Sequence, residues 1–319
     1  MNNIISIIIL LFSINPSFTN FNITPKIKLP KNISWSTIVQ GNNNYKIAGY
    51  DNNEIYLYNM LNNEYRSIYK YEKQNSQYFI SSWKKGFIIG PIKEGKEYNY
   101  ISFNIDGKIS NKIKCTSEQC SRILYVQASY KEGDIYYVTE CSEKDTRFYK
   151  VIKNNDKQYD KSIVYNYNNQ SSPRRRWPLL SVNNNIIYGV DDNYEIFVSD
   201  INYTRLFSFK HPTELNSPLS EEEKQNVNQM LINPTGPTYP KLILKVQETN
   251  NDIVVFRISR KSKGIIYADY FDKKGKYIKS IPLYHDENER IIDINIIDSK
   301  IIYLVANKSD KYLYIKTKQ

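Results

Sequence analysis

After its first twenty residues the chain breaks into short apolar runs separated by Asn- and Gly-containing turns, and this pattern recurs. Helical periodicity is almost absent. The recurring unit is roughly 40 to 50 residues long, the range of propeller blades. Each unit reads strand, turn, strand, polar loop, strand, turn, strand. Six second-strand segments align: YKIAGY, GFIIG, DIYYV, IIYGV, DIVVF and KIIYLV. The unit beginning near Arg176 shows the plan, with WPLLSV, the turn NNN, IIYGV, the loop DDNYE, IFVSD and finally RLFSFK. The outer hairpins carry matching turns, NIDGK at Asn104 to Lys108, NNDK at Asn154 to Lys157 and FDKKGK at Phe271 to Lys276. Their Asp-Gly and Lys-Gly pairs supply the positive φ that such turns need.

A lone four-stranded sheet exposes two faces and two edges. Packed face to face around an axis, such sheets bury both faces and leave only short edges. The expected fold is therefore all-β, a six-bladed β-propeller of four-stranded antiparallel blades over residues 21–319. The sixth unit is one strand short, giving IIDINII, KIIYLVA and YLYIKT before the chain stops. The orphan strand Asn22 to Leu29 is expected to complete it and close the ring. One helix is expected to interrupt the pattern at about 218–231. There Ser220 and Glu223 form a capping box, Val227, Met230 and Leu231 an apolar stripe, and Asn233-Pro234 a stop. The composition agrees with this plan. Tyr occurs 29 times, and both it and the abundant Ile suit pleated, half-buried surfaces.

With these units in place the chain resembles the six-bladed propeller families of exported bacterial proteins, TolB-like and NHL-like. The resemblance covers about Phe21 to Gln319 and is carried by the period and by YADYFDKKGKYIKSIPL. That segment looks like those families' F-D-x-x-G-K-x-x-x-x-I outer hairpin. Members serve different functions, so the resemblance implies fold and export rather than an activity.

The segment Ile4 to Ile14 is almost wholly apolar, as long as a signal-peptide core and too short to cross a bilayer comfortably. Residues 1–20 are read as a signal peptide, with Ser17-Phe18-Thr19 as the cleavage candidate. The mature chain is expected to be secreted or periplasmic, monomeric and without a transmembrane span. Export permits a disulfide among Cys115, Cys120 and Cys141, with CTSEQC closing on itself or Cys120 bridging Cys141. The formal charge of +11 is spread along strands and turns without a basic block, so no nucleic-acid partner is expected. The two histidines, His211 and His285, show no ligand spacing, and neither a metal nor another cofactor is expected.

In a propeller, fourth-to-first links share a face with second-to-third loops, and that face opens onto the central channel. Reading the units in register places Trp35, Tyr78, Arg122, Arg174, Arg176, Trp177, Tyr239 and Arg290 at this mouth. The segment PRRRWP at Pro173 to Pro178 is the sharpest feature. In an extended segment Arg174 and Arg176 point the same way, and an anion between them relieves their repulsion and accepts paired hydrogen bonds. Trp177 offers a stacking face. Pairing of these arginines with Glu214 or Asp191 is the structural alternative. The acidic loops Asp51 to Glu54 and Asp191 to Asn193 lack the pattern of a calcium loop.

The expected function is recognition of a protein, peptide or glycan, possibly anionic, at the channel mouth. The alternative is a propeller hydrolase or lyase acting on carbohydrates or lactones, using carboxylates such as Asp191, Asp192 or Glu54, or His211 oriented by Glu214. Convergent carboxylates along the channel would mark the enzyme, aromatics and arginines the binder, and a plugged channel a purely structural surface protein.

Overall fold

The structure, a computed structural model, describes residues 27–40, 45–51, 53–72, 79–83, 86–95, 97–114, 125–132, 135–141, 145–153, 159–168, 181–183, 186–190, 195–200, 204–212, 220–222, 243–260, 264–284, 288–297, 300–307 and 310–317. The first strand is β1 (Ile27–Lys28). A sheet follows from β2 (Ser34–Gln40), β3 (Tyr45–Tyr50), β4 (Glu54–Asn59) and β5 (Glu64–Lys70). The next comprises β6 (Phe79–Trp83), β7 (Gly86–Glu94), β8 (Glu97–Asn104) and β9 (Ile109–Lys114). The third holds β10 (Tyr125–Glu132), β11 (Ile135–Cys141), β12 (Asp145–Lys153) and β13 (Tyr159–Asn168). The fourth holds β14 (Ser181–Asn183), β15 (Ile186–Val190), β16 (Glu195–Asp200) and β17 (Arg205–Lys210). The fifth holds β18 (Ile243–Glu248), β19 (Ile253–Ile258), β20 (Ile265–Phe271) and β21 (Tyr277–Tyr284). The last three strands are β22 (Arg290–Ile297), β23 (Lys300–Asn307) and β24 (Asp310–Thr317).

Five of the sheets pair their strands antiparallel in chain order, and the sixth has the order β1-β24-β23-β22. The orphan N-terminal strand thus lies beside the last one, with Ile27 opposite Leu313 and Lys28 opposite Tyr312. Residues 22–26 of that expected strand lie outside the described residues.

Two of the second strands are buried on both faces. All six residues of β19 are buried, as are Ile301 to Ala306 of β23. This explains their near-continuous apolar sequences, since each face meets a neighbouring sheet. The cores lie between sheets rather than within one. Val39 and Leu57 of the first sheet pack with Phe87 and Phe103 of the second. Tyr188 and Phe209 of the fourth pack with Val255 and Phe271 of the fifth. Phe256 and Tyr270 of the fifth pack with Ile294 and Tyr303 of the sixth. Leu29, Trp35 and Ile47 pack with Ile297 and Leu304, so the sixth sheet lies against the first. The first strands of successive sheets touch from β2 through β6, β10, β14 and β18 to β22, and β22 touches β2.

The outer hairpins repeat at atomic detail. In the β8–β9 turn Asn104 Oδ1 accepts from the N–H groups of Asp106 and Lys108. In the β20–β21 turn Asp272 Oδ1 accepts in the same way from Lys274 and Lys276. Gly107 and Gly275 sit three residues after these caps with φ of 76° and 83°. Each glycine lies against the fourth strand of the preceding sheet: a Cβ at Gly107 would meet Ile68 at 2.7 Å, and one at Gly275 would meet Phe209 at 2.7 Å. The hairpin therefore turns a chain and docks one sheet on the next.

Of the expected helix, Glu221 and Glu222 are helical after Ser220, and its remainder lies outside the described residues. Cys115 and Cys120 also lie outside them, while Cys141 ends β11. Among the described residues no helix is long and apolar enough to cross a membrane.

Candidate ligand face and the strands at its centre

The innermost strands carry a polar network absent from the sequence-based expectations. A β-bulge near the start of each of β2, β18 and β22 shifts the register at Ser36, Leu244 and Ile292. The residue after each bulge is polar: Thr37, Lys245 and Asp293. A bulge re-aims the side chains around it, and here it brings these three together. Asp293 Oδ2 accepts from the Ile38 backbone N–H at 2.8 Å and the Thr37 hydroxyl at 3.1 Å. Its Oδ1 accepts from Lys245 Nζ at 3.0 Å and from the Ile294 N–H at 2.8 Å. Asn295 Nδ2 adds a contact at 3.2 Å, and Lys245 also reaches Asn295 Oδ1 at 2.6 Å. Thr37 passes the network to Ser82 of β6 at 3.0 Å. Gln247 of β18 exchanges two hydrogen bonds with the backbone of Ile296. One carboxylate thus ties the sixth sheet to the first and the fifth. Both its oxygens are occupied by donors from the protein.

The acidic loop at Asp51 is likewise self-contained. Asp51 Oδ1 accepts from the N–H groups of Asn53 and Glu54, and its Oδ2 from the Tyr56 hydroxyl at 2.9 Å. This is an Asx turn closing the β3–β4 loop. Glu54 pairs with Lys70 at 3.1 Å. Hydrogen bonds from Ser67 and Lys70 hold its carboxyl below the usual range. Asp191 to Asn193 lie outside the described residues.

His211, the base considered for an enzyme, is buried at the end of β17. Its Nε2 is 3.4 Å from Ser280 Oγ and 4.0 Å from Asp269, and its ring meets Tyr277 edge-on at 4.8 Å. Ser280 donates to Asp269 Oδ1 at 2.5 Å, and Arg257 Nε donates to Asp269 Oδ2 at 2.6 Å. Ser280 Oγ also lies 2.8 Å from the Tyr277 hydroxyl. The cluster holds the fourth sheet against the fifth.

Trp35, expected at the mouth, is wholly buried. Its indole N–H donates to the Pro30 carbonyl at 3.1 Å, and its ring meets Tyr58 and Tyr65 edge-on at 5.9 and 6.3 Å. The residue is a wedge between the first and last sheets, because the bulge at Ser36 turns it into the core. Arg290 is exposed at the start of β22, where a fourth-to-first link enters its sheet. Tyr78, Arg122, Arg174, Arg176, Trp177, Glu214 and Tyr239 lie outside the described residues. Sequence reasoning passed over Asp293, Lys245, Asn295 and Gln247. The available signal was a pair of polar residues at i and i+2 breaking apolar runs, D-I-N in β22 and K-V-Q in β18.

No protein-family model matches this sequence, and no curated protein matches it. Solved structures share the fold. A luciferin-regenerating enzyme aligns with 92% of this chain and 95% of its own at 9% identity, with a TM-score of 0.51. The WD40 beta propeller domain of Doa1 aligns with 93% of this chain and 97% of its own at 10% identity, TM-score 0.46. BBS1N, solved in complex with ARL6DN, aligns with 86% of this chain and 75% of its own at 11% identity, TM-score 0.43. At such identities the likeness speaks to architecture alone. With its repeated four-stranded antiparallel sheets packed face to face, the chain has a β-propeller fold.

Proposed function

We propose that the chain is a six-bladed propeller of residues 21–319, closed by its N-terminal strand and exported by the apolar leader of residues 1–20. It works as a monomeric binding module. Its ligand is a protein, peptide or glycan with an anionic group, recognised at the channel mouth by Arg174, Arg176 and Trp177 with Arg122, Tyr239 and Arg290 around them. The TolB-like and NHL-like resemblance belongs to this reading, supported by the matching caps at Asn104 and Asp272 in the outer hairpins.

The observation that carries the binding reading is the state of Asp293. A glycosidase acting at the channel through Asp293 needs an oxygen of that carboxylate directed at substrate. Both oxygens of Asp293 instead accept from Thr37, Ile38, Lys245, Ile294 and Asn295. This group holds inner strands of three sheets together, and in this reading recognition falls to the loops.

The test is binding of an acidic peptide and of a sialylated glycan, by calorimetry, to the parent and to an Arg174→Ala, Arg176→Ala variant. Loss of two charge-assisted contacts is expected to weaken binding by roughly 100-fold, at about 1.5 kcal/mol each. Equal affinity of parent and variant for every probe that binds refutes the mouth site.

A further inference from the structure

Five large apolar side chains remain exposed among the described residues: Leu61, Tyr65, Ile109, Leu206 and Ile278, between 44% and 75% accessible. Isolated exposed apolar residues are ordinary. The position of these five is not. Leu61 lies in the turn between β4 and β5, and the others are the first or second residues of β5, β9, β17 and β21. All therefore stand on the outermost layer of a sheet, at the end where the third strand hands over to the fourth. Four of the six sheets share the feature.

Cations accompany them. Lys108 precedes Ile109, Lys279 follows Ile278, and Lys274 and Lys276 project from the β20–β21 turn. Among the described residues none of these four lysines makes an ion pair, although Lys279 lies over the Tyr270 ring at 5.3 Å and Lys273 of the same turn pairs with Glu248 at 2.6 Å. Asp106 is held by Lys46 at 3.5 Å, and Asp272 accepts the N–H groups of its own turn. Glu64, bound by Asn62, and Asp106, whose side chain is 65% exposed, are counter-charges at this end. At the opposite ends of the outer strands the cations are neutralised, Lys70 by Glu54 at 3.1 Å and Lys210 by Glu195 at 3.3 Å. Edge protection accounts for lysines along outer strands. It does not account for apolar residues beside them.

The N-terminal strand marks the same end. β1 is the outermost strand of its sheet and antiparallel to β24. It therefore begins where the fourth strands of the other sheets begin, and the apolar segment Ile4 to Ile14 precedes it in the chain.

We infer that this end of the propeller docks on an anionic lipid surface. The exposed apolar side chains enter the headgroup layer, and the unpaired lysines face lipid phosphates. A plane is the occupant that meets residues distributed over four sheets, whereas a bound peptide lies along one or two. The docking end is opposite the proposed arginine mouth, so the two sites fail or stand separately.

The test is flotation of the full chain with vesicles of equal parts phosphatidylcholine and phosphatidylglycerol, and with phosphatidylcholine alone. The comparison between variants is the readout. Lys274→Ala with Lys276→Ala is expected to lower partitioning onto the anionic vesicles by roughly 25-fold, about fivefold for each lysine. Leu206→Ser with Ile278→Ser is expected to lower it about tenfold. Lys70→Ala with Lys210→Ala removes the same charge from the other end and leaves binding unchanged. Equal losses from the two lysine pairs, or loss from neither, overturn the inference. So does a Lys274, Lys276 effect seen on polyglutamate but not on vesicles, which would assign this end to an acidic protein.

Discussion

Lys311 sits where the N-terminal segment meets the last sheet. Its Nζ donates to the Trp35 carbonyl at 3.0 Å, and burial pulls its pKa down to about 8. Its neighbour Asp310 is held by Lys28 at 3.1 Å and Lys31 at 2.9 Å. The sign of the linkage follows from the depressed value. Between about pH 8 and 10.5 the folded lysine is neutral while the unfolded one still carries its proton. The unfolded state binds more protons there, so stability rises with pH across that window and is constant below it. Solvent reaching the ammonium limits the gain to about 1–2 kcal/mol. Urea unfolding at successive pH values should show the parent midpoint rising relative to that of Lys311→Met above pH 8. A parent midpoint that falls as steeply as the variant's over the same range contradicts a desolvated lysine at this seam.

At the scale of elements, the outer hairpin is the repeated device. Asn104 and Asp272 cap equivalent turns with the same two backbone donors. Asp272→Asn should therefore cost less than about 0.5 kcal/mol, since the amide oxygen serves in the sister turn. Gly275→Ala should cost about 2–4 kcal/mol. It adds a side chain at φ 83° and drives a Cβ to 2.7 Å from Phe209, which already packs on Phe271 at 4.7 Å. Thermal unfolding of both variants checks the pair, and similar losses from each would deny that the glycine docks one sheet on another. These turns, and the second strands between them, were legible in the sequence for local reasons. A strand buried on both faces reads as an unbroken apolar run, and a positive-φ turn calls for glycine. The bulges were not legible, because an extra residue in an inner strand leaves no mark on composition. Without the bulge at Ser36, Trp35 reads as a loop-end aromatic, and it is found as the wedge between two sheets. Asp293 and Lys245 were passed over for a related reason. Their partners lie 48 residues apart in the chain, and only the packing of sheets makes them neighbours.

For the whole molecule the question is what fastens the last sheet to the first. Counting strands in the sequence left one surplus at the start and one deficit at the end, and β1 beside β24 answers both. The attachment is small in hydrogen bonds but not in burial. Leu29 is 1% exposed, its N–H donates to the Lys311 carbonyl at 3.0 Å, and Pro30 receives the Trp35 indole. On the inner side the Asp293 network makes the same junction through Thr37 and Ile38. Two clasps at different radii imply that releasing the outer one leaves a sheet still held at its centre but with β24 bare. A bare edge of the sequence YLYIK invites pairing with a second chain. Removing residues through Leu29 should therefore lower stability by about 3–5 kcal/mol, from one buried leucine and one strand pair. It should also raise the apparent mass in size-exclusion chromatography. A synthetic peptide spanning residues 21–32, added in trans, should restore both the melting temperature and the parent's apparent mass by refilling the edge. Removal of residues 1–20 alone should change neither. If the chain lacking residues through Leu29 melts with the parent and the peptide has no effect, the inner clasp suffices and β1 is not what fastens the last sheet to the first.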